Sequence, residues 1–288
     1  MTALFALATS LLWGLADFGG GVLTRRVPAL TVVVVSQCIA AAVLGAVVIA
    51  TGGWSEAGGR LWFAVAAGAV GPVAMLSFYK ALALGPMGVI SPLGSLGVAV
   101  PVGVGLIVGE RPGLLQAAGV AVAVLGVVLA GGPQSRGARV RRQAVLLTLL
   151  AAFGFGAVMA LIAEASTTVT ALFLALFVQR VTNIAVGGTA LYLSVRRGGH
   201  ALPEEGGALA VRAALPALAF VGLADVAANG MYAVAAQHGP VTVAAVLASL
   251  YPVVTALAAR GVLGERMRGI QAAGAGLALI GTVLLATG

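Results

Sequence analysis

Long apolar runs account for almost the whole chain, and the breaks between them are short and hold glycine, proline or arginine. A helix needs about 20 mostly apolar residues to cross the hydrocarbon core of a bilayer. Measured against that length, the pattern predicts ten membrane-spanning helices, near residues 3–24, 29–51, 61–83, 86–109, 112–131, 143–164, 168–194, 209–236, 239–262 and 268–287.

The breaks follow from the chemistry of the residues in them. Charges stay in water, and glycine and proline interrupt helices, which is why Arg25-Arg26 and Gly85-Pro86 divide apolar runs. The two widest breaks, 133–142 and 195–208, are too short for a folded domain. The pattern therefore predicts a protein without a soluble domain.

The composition is typical of a chain whose solvent is lipid. Charged residues make up 8% of the chain, against about 25% in a soluble domain, and the mean hydropathy is +1.11. The net charge of +8 does not indicate a nucleic-acid-binding protein, because the basic residues lie in breaks between apolar runs and form no cluster on a polar face. Cys38 is the only cysteine, so no internal disulfide forms.

The arginines predict the orientation. They concentrate in the breaks after spans one, five, seven and nine, and the break 133–142 holds four of them. Positive residues favour the cytoplasmic side of a membrane. We therefore expect a multi-pass protein of the plasma (inner) membrane with the basic loop 133–142 in the cytoplasm and both termini outside.

A repeated phrase indicates an internal duplication. GERPGLLQAAG at 109–119 and GERMRGIQAAG at 264–274 are identical at seven of eleven positions. Upstream, Gly85-Pro86 matches Gly239-Pro240 at a shift of 154 residues, and Gln37 matches Gln179 at a shift of 142. The second half of the chain is therefore a diverged copy of the first.

The duplication predicts the fold class. Each unit has five predicted spans, and because five is odd the second unit enters the membrane upside down, a common plan of secondary transporters. We expect an all-α integral membrane protein with ten transmembrane helices in two inverted five-helix repeats. The first repeat covers 1–142, including the basic linker 133–142, and the second covers 143–288.

The ten spans, the LLWG in span one and the GER that opens the last span of each unit resemble the drug/metabolite transporter superfamily, EamA-type branch. The resemblance implies a central cavity lined by helices one, three, four, six, eight and nine. Helices two and seven would flank it, and helices five and ten would lie outside. Members of this family mostly export small metabolites, amino acids or drugs, and some import them.

The resemblance has one departure. The family pattern SLYPVV is present with Pro252 in the second unit, but the first unit has Gly97 at the equivalent position and Pro101 instead. We therefore expect the kink of helix four to be displaced. Glu110 and Glu265, in the two GER copies, have two interpretations: a gate or proton site, or a carboxylate that accepts free N–H groups at a helix N-terminus.

Charged residues inside the spans are the candidate chemistry. A charge at the bilayer centre costs about 2.5–3.5 kcal/mol, so Asp17, Arg180 and Asp225 need partners or a wet cavity. Residues three or four apart share a helix face, which gives polar stripes on spans seven and eight. The candidate substrate-binding residues are Trp13, Asp17, Gln37, Tyr79, Gln179, Arg180, Asn183, Asp225, Asn229 and Tyr232. The alternative is that Arg180 and an aspartate pair only to hold helices together.

Other functional classes leave no mark on the sequence. It has no HExxH, GxGD or GxSxG motif of an intramembrane protease and no P-loop, so we expect neither an enzyme nor a cofactor or metal. The prediction is a secondary active transporter that moves a small organic metabolite by alternating access, most often outward. A zwitterion such as an amino acid suits polar groups of both signs, and protons are the candidate coupling ion. The alternatives are an uptake carrier and a membrane receptor or scaffold.

Overall fold

The computed structural model describes residues 2–98, 100, 113–131, 141–238, 247–248, 250–266 and 269–287, and every regular element within them is helical. Two 3-10 turns, Gly53–Glu56 and Ser95–Val98, follow α2 and α4. The α-helices, numbered in chain order, are α1 (Thr2–Thr24), α2 (Ala29–Thr51), α3 (Leu61–Leu84), α4 (Met87–Gly94), α5 (Leu114–Gly131), α6 (Arg142–Ala165), α7 (Val169–Arg196), α8 (Gly207–Gln237), α9 (Tyr251–Leu263) and α10 (Gly269–Thr287).

Glycine and proline fix several helix ends. Pro28, whose ring prevents it from donating a hydrogen bond, precedes α2. Gly52 ends α2 with φ of 67°, a left-handed conformation that glycine adopts without steric cost, and Gly264 ends α9 in the same way with φ of 65°.

Six of the helices, α1, α2, α3, α6, α7 and α8, are long and apolar enough to cross a membrane by length and composition. The described parts of α4, α5, α9 and α10 contain shorter apolar stretches. Large apolar side chains are exposed on the outside, among them Leu114 and Trp62, as expected of a surface that faces lipid. The all-helical membrane architecture is therefore confirmed, and the count of ten spans stays a prediction.

Helix packing follows the duplication. Contacts join α1 to α8, α3 to α6, α2 to α7, α4 to α9 and α5 to α10. The duplication relates each helix to the one five places later in the chain, so that α1 corresponds to α6, α2 to α7, and so on. Under this relation the α1–α8 contact corresponds to the α3–α6 contact. The α2–α7, α4–α9 and α5–α10 contacts each correspond to themselves. The α1–α9 and α4–α6 contacts also correspond to each other, as do α2–α8 and α3–α7. This is the contact pattern that a twofold axis between the halves produces.

Glycines show the same relationship at atomic scale. Gly68 on α3 lies against the Gln179 carbonyl of α7, where an added Cβ would come within 2.6 Å of the oxygen. Gly222, its counterpart 154 residues later, lies against the Ser36 carbonyl of α2. Because lipid gives helices no hydrophobic reason to associate, such close contacts of small residues supply the packing energy. The two copies therefore conserve backbone contacts as well as sequence.

The crossing of α1 and α9 is also repeated. Gly14 on α1 faces Val254 and the Tyr251 carbonyl on α9, and Thr255 Oγ1 donates to the Gly14 carbonyl at 3.0 Å. Gly156 on α6, the counterpart of Gly14 at a shift of 142, faces the α4 region at Gly97. The α4 helix changes to 3-10 geometry at Ser95–Val98, around Gly97, while Pro101 lies outside the described residues.

The contacts divide eight helices into two bundles, each with members from both halves of the chain. The first bundle consists of α1, α2, α8 and α9, and the second consists of α3, α4, α6 and α7. Contacts of α2 with α7 and of α4 with α9 join the bundles, while α5 and α10 pack against each other. The interface between the bundles holds Gln37, Arg180, Asn183 and Asp225.

The two ends of the bundles are identified by contacts between loops. At one end Arg25 pairs with Glu265 beside the start of α4, and Thr31 near the start of α2 bonds to the 197–206 loop at Ala201. We call this end the arginine face. At the opposite face Glu56 accepts a hydrogen bond from Thr168 at 3.1 Å, which joins the α2–α3 loop to the start of α7.

Candidate functional site

Three polar side chains of α7 are buried near the middle of the molecule. Gln179, Arg180 and Asn183 are 3%, 6% and 1% exposed. The helix begins at Thr168, whose hydroxyl accepts a hydrogen bond from the Ala171 N–H at 3.0 Å, and it continues to Arg196. The three side chains lie several turns from either end, so their partners come from other helices.

Gln37 of α2 supplies the first partner. Its Oε1 accepts a hydrogen bond from Arg180 Nη1 at 3.0 Å and another from Asn183 Nδ2 at 3.1 Å. Gln37 is 1% exposed. A single acceptor that serves two donors fixes the relative position of both α7 side chains, and this requires the close crossing of α2 and α7.

Asp225 of α8 supplies the second partner. It forms an ion pair with Arg180 through Nη2 and Oδ2, and the side chains are 7% exposed for Arg180 and 26% for Asp225. Asn229, one turn later, donates to the Asp225 carbonyl at 2.7 Å and lies 3.5 Å from Oδ1. A buried charge is tolerated in the interior when it is paired and hydrogen-bonded in this way.

The network joins the two bundles. Arg180 and Asn183 belong to the second bundle, whereas Gln37 and Asp225 belong to the first. Every hydrogen bond from Arg180 and Asn183 to these partners therefore crosses the interface. A relative movement of the bundles must stretch or break this network.

Three buried atoms beside the network have no hydrogen-bond partner among the described residues: Gln179 Oε1, Arg180 Nε and Asn183 Oδ1. Leaving such a group unsatisfied costs about 1–3 kcal/mol. The set contains one cationic donor and two acceptors, so it is complementary to a ligand that offers an anionic acceptor and hydrogen-bond donors.

Three aromatic side chains of the first bundle pack against one another. The Trp13 ring lies 6.1 Å from the Tyr232 ring and 6.3 Å from the Tyr251 ring, measured between centroids. The Tyr251 contact is edge to face, with 78° between the ring planes. Aromatic pairs favour such offset and edge arrangements. Trp13, Tyr232 and Tyr251 therefore form an apolar wall on α1, α8 and α9.

Tyr79 and Asp17 complete the surroundings. Tyr79 is buried against Gly20 of α1, where a Cβ would lie 2.8 Å from the phenol oxygen. α1 is an unbroken helix through Gly19–Gly21, so these glycines permit close packing. Asp17, one turn before Gly20, lies within electrostatic reach of Asp225 and Tyr79. Within the described part of the chain, no hydrogen bond or ion pair to the Asp17 carboxylate is present.

The ten residues singled out in the sequence thus form three groups in the structure. Gln37, Arg180, Asn183, Asp225 and Asn229 share one hydrogen-bond network. Gln179 lies beside it without a partner. Trp13 and Tyr232 are in contact through their rings, and Tyr79 and Asp17 approach from α3 and α1.

Sequence reasoning missed two residues of this region. Tyr251 belongs to the SLYPVV pattern, but that pattern was used only for Pro252. Gly71 has no side chain, and this makes room for the Asn183 amide, because an added Cβ would clash with its Oδ1. A signal for Gly71 was available, because the shift of 154 residues aligns it with Asp225. The first unit has a glycine where the second has the network's carboxylate.

Glu265 lies at the N-terminus of α4, and not at the N-terminus of α10, the helix that follows it in the chain. Its Oε2 accepts a hydrogen bond from the backbone N–H of Met87, the first residue of α4, at 2.8 Å. Its Oε1 pairs with Arg25 at 3.1 Å. Glu110, the matching residue of the first unit, lies outside the described residues, as does most of the loop 133–142.

Comparison with known proteins agrees with this architecture. One solved crystal structure, titled only "Crystal structure of protein", has a TM-score of 0.59 to this chain with 18% sequence identity, and the alignment covers 99% of this chain and 96% of the other. It shows a shared fold. No match was found among curated proteins. The sequence pattern of the EamA-like transporter family matches residues 1–132 and 142–287, one match for each repeat. The chain therefore belongs to the EamA-like transporter family, a group of multi-pass membrane transporters.

Proposed function

We propose that this protein is a secondary active carrier that exports a small organic metabolite across the plasma membrane by alternating access. The observation that carries the proposal is the Arg180–Asp225 pair, whose network crosses the interface between two bundles that the duplication relates. Related halves allow two packings of similar energy, one open to each side. The repeats are taken to divide at 142/143 and to be inverted in the membrane.

The network supports a specific role for the ten candidate residues. In the present arrangement the two terminal nitrogens of Arg180 donate hydrogen bonds to Gln37 and Asp225. A substrate anion that binds Arg180 from its free Nε side weakens the competing contacts, and the bundles then separate on one side. Binding energy at the interface is thereby converted into a shift between the two packings.

The substrate class follows from the unsatisfied atoms. Arg180 Nε matches a carboxylate, and the Gln179 and Asn183 side-chain oxygens match an ammonium group. Trp13 and Tyr232 offer an apolar wall, with Tyr232 on α8 seven residues after Asp225. A zwitterion with an apolar part, such as an amino acid, satisfies all three.

Orientation and coupling belong to the same proposal. The basic residues gather at the arginine face, so this face is placed in the cytoplasm by the positive-inside rule. Asp225 and Asp17 are the candidate proton carriers. A carboxylate that alternately meets and leaves an arginine captures and releases a proton, which is the chemistry of an antiporter.

The test begins with binding. Purified protein is screened against metabolites for a rise in melting temperature, because a ligand that binds only the folded state raises it. Hits are then assayed for saturable counterflow in liposomes. Binding together with counterflow supports the carrier, binding without counterflow supports a receptor or scaffold, and import driven by an inward proton gradient supports an uptake carrier.

A further inference from the structure

The Glu265 carboxylate joins the two bundles at the arginine face, where Arg25 Nη2 also lies 3.5 Å from the Leu82 carbonyl of α3. Glu265 follows α9 and so belongs to the first bundle, whereas Met87 begins α4 of the second. Glu265 Oε2 accepts the Met87 N–H at 2.8 Å. This contact lies at one end of the bundles, well away from the network around Arg180.

Both partners of the contact are held firmly by their own bundles. Gly264 ends α9 in a left-handed conformation, and the N–H of Glu265 donates back to the Ala259 carbonyl at 3.3 Å. Arg25, at the end of α1 in the same bundle, pairs with Glu265 Oε1 at 3.1 Å. On the other side, Pro86 starts α4 and leaves the Met87 N–H without an intrahelical acceptor. The carboxylate therefore meets the positive end of a helix from the opposite bundle.

We propose that Glu265 is a latch that holds the arginine face closed, with Arg25 as the residue that positions it. While the latch is made, α4 cannot move away from α9 at this face. Opening requires Glu265 to leave the Met87 N–H. That this opening serves transport rests on the proposed function, but the latch itself is a property of the fold.

The surroundings suit a latch that opens reversibly. Glu265 and Arg25 side chains are 18% and 34% exposed, so water can replace their contacts when the bundles part. A cavity of about 280 Å³ lies directly beside the latch, lined by Gly88, Ala256, Leu257, Arg260 and Glu265. Its lining comes from α4 and α9, the two helices that the latch joins. Arg260 lines the same cavity and is therefore an alternative partner for the released carboxylate.

The test measures the distance between the bundles and needs no substrate. Spin labels are attached to Gln143→Cys on α6 and Leu209→Cys on α8, both exposed and near the arginine face, in a Cys38→Ala background. Double electron–electron resonance is then recorded for the wild type and for Glu265→Ala. We expect Glu265→Ala to move population from the shorter to a longer distance. Glu265→Gln keeps an acceptor for the Met87 N–H but loses the Arg25 pair, so we expect a smaller shift.

Glu204→Ala is the matched control, because it removes the same charge at an exposed position of the same face. A distance distribution in Glu265→Ala that equals the wild type overturns the latch, as does an equal shift in Glu204→Ala. If Glu265→Ala does not fold, Glu265→Gln and Arg25→Gln decide by the same criterion. A shift of distance in a protein that shows no counterflow leaves the latch standing and overturns the carrier. Counterflow in a protein whose distance distribution does not shift overturns the latch and leaves the carrier standing.

Discussion

Arg180 and Asp225 lie in the same half of the sequence but in different bundles, and their ion pair crosses the interface between the bundles. Their helices, α7 and α8, follow one another in the chain. α7 packs on α2 and α3, whereas α8 packs on α1 and α2. The charge pair therefore acts between units that consist of helices from both repeats, and not between the repeats themselves.

The first prediction concerns the strength of this pair. Asp225→Ala leaves Arg180 buried without its counter-charge, and breaking a buried pair in this way costs about 3–5 kcal/mol. Because the Asp225 side chain is 26% exposed, we expect the lower end of that range. Adding Arg180→Leu restores much of the loss, since no unpaired charge remains. Thermal unfolding of the two single variants and the double variant measures the coupling.

The double variant also separates a structural pair from a functional one. We expect Arg180→Leu with Asp225→Ala to fold but to show no substrate counterflow. Full counterflow would mean that the pair only holds helices together. Glu204→Ala serves as the control for the loss of a carboxylate outside the network.

The second prediction concerns proton coupling. Asp225→Asn keeps the shape of the side chain and one acceptor oxygen but removes the titratable group. We expect proton-driven transport to be lost while substrate counterflow survives, as measured in liposomes with and without an imposed pH gradient. Asp17→Asn is the comparison, because Asp17 has no hydrogen bond or ion pair within the described residues. A normal response of Asp225→Asn to the gradient excludes Asp225 as the coupling site.

The third prediction concerns orientation. Single cysteines are placed at Glu204, on the arginine face, and at Gly58, in the exposed loop of the opposite face, in a Cys38→Ala background. In intact cells an impermeant thiol reagent should label Gly58→Cys, and Glu204→Cys should react only after the membrane is opened. The reverse pattern would place the arginine face outside and contradict the charge rule.

The fourth prediction concerns the repeated glycine contacts. A methyl group at Gly68 meets the Gln179 carbonyl, and one at Gly222 meets the Ser36 carbonyl, so both alanine variants should force the helices apart and lower the melting temperature. Gly188→Ala is the matched control in α7, since nothing lies within 4 Å of its added Cβ. Alanine favours a helix over glycine by about 1 kcal/mol, so this control should be neutral or stabilising. An equal loss of melting temperature in all three variants would show that the Gly68 and Gly222 contacts do not contribute specifically to stability.

Helix bounds were predicted well because apolar length and helix breakers act locally. The runs 29–51 and 61–83 correspond to α2 at Ala29–Thr51 and α3 at Leu61–Leu84. The polar face of α7 was equally visible, because Gln179 and Asn183 are one turn apart. Periodicity identifies the face of a helix that carries polar groups, and this information lies within a short window.

The partners of those faces were less predictable, because contacts between distant segments depend on how helices cross. Nothing local indicates that Gln37 serves both Arg180 and Asn183. Glu265 was expected to suit a helix N-terminus, and it does, but the helix begins at Met87 of the other unit. The sequence also does not predict that each bundle takes helices from both repeats. Two similar halves are compatible with two bundles that each consist of one repeat, as well as with bundles that share helices of both.

The exchange of helices between bundles has a consequence for how the protein is made. α1 and α2 leave the ribosome before their partners α8 and α9 are synthesised, and about 150 residues separate Thr51 from Gly207. At about 5–20 residues per second, α1 and α2, with Asp17 on α1, wait roughly 8–30 seconds in the membrane before α8 arrives. The first half alone is therefore an incomplete unit with uncovered polar groups. Insertion machinery or quality control that retains nascent helices has its longest task at this stage of synthesis.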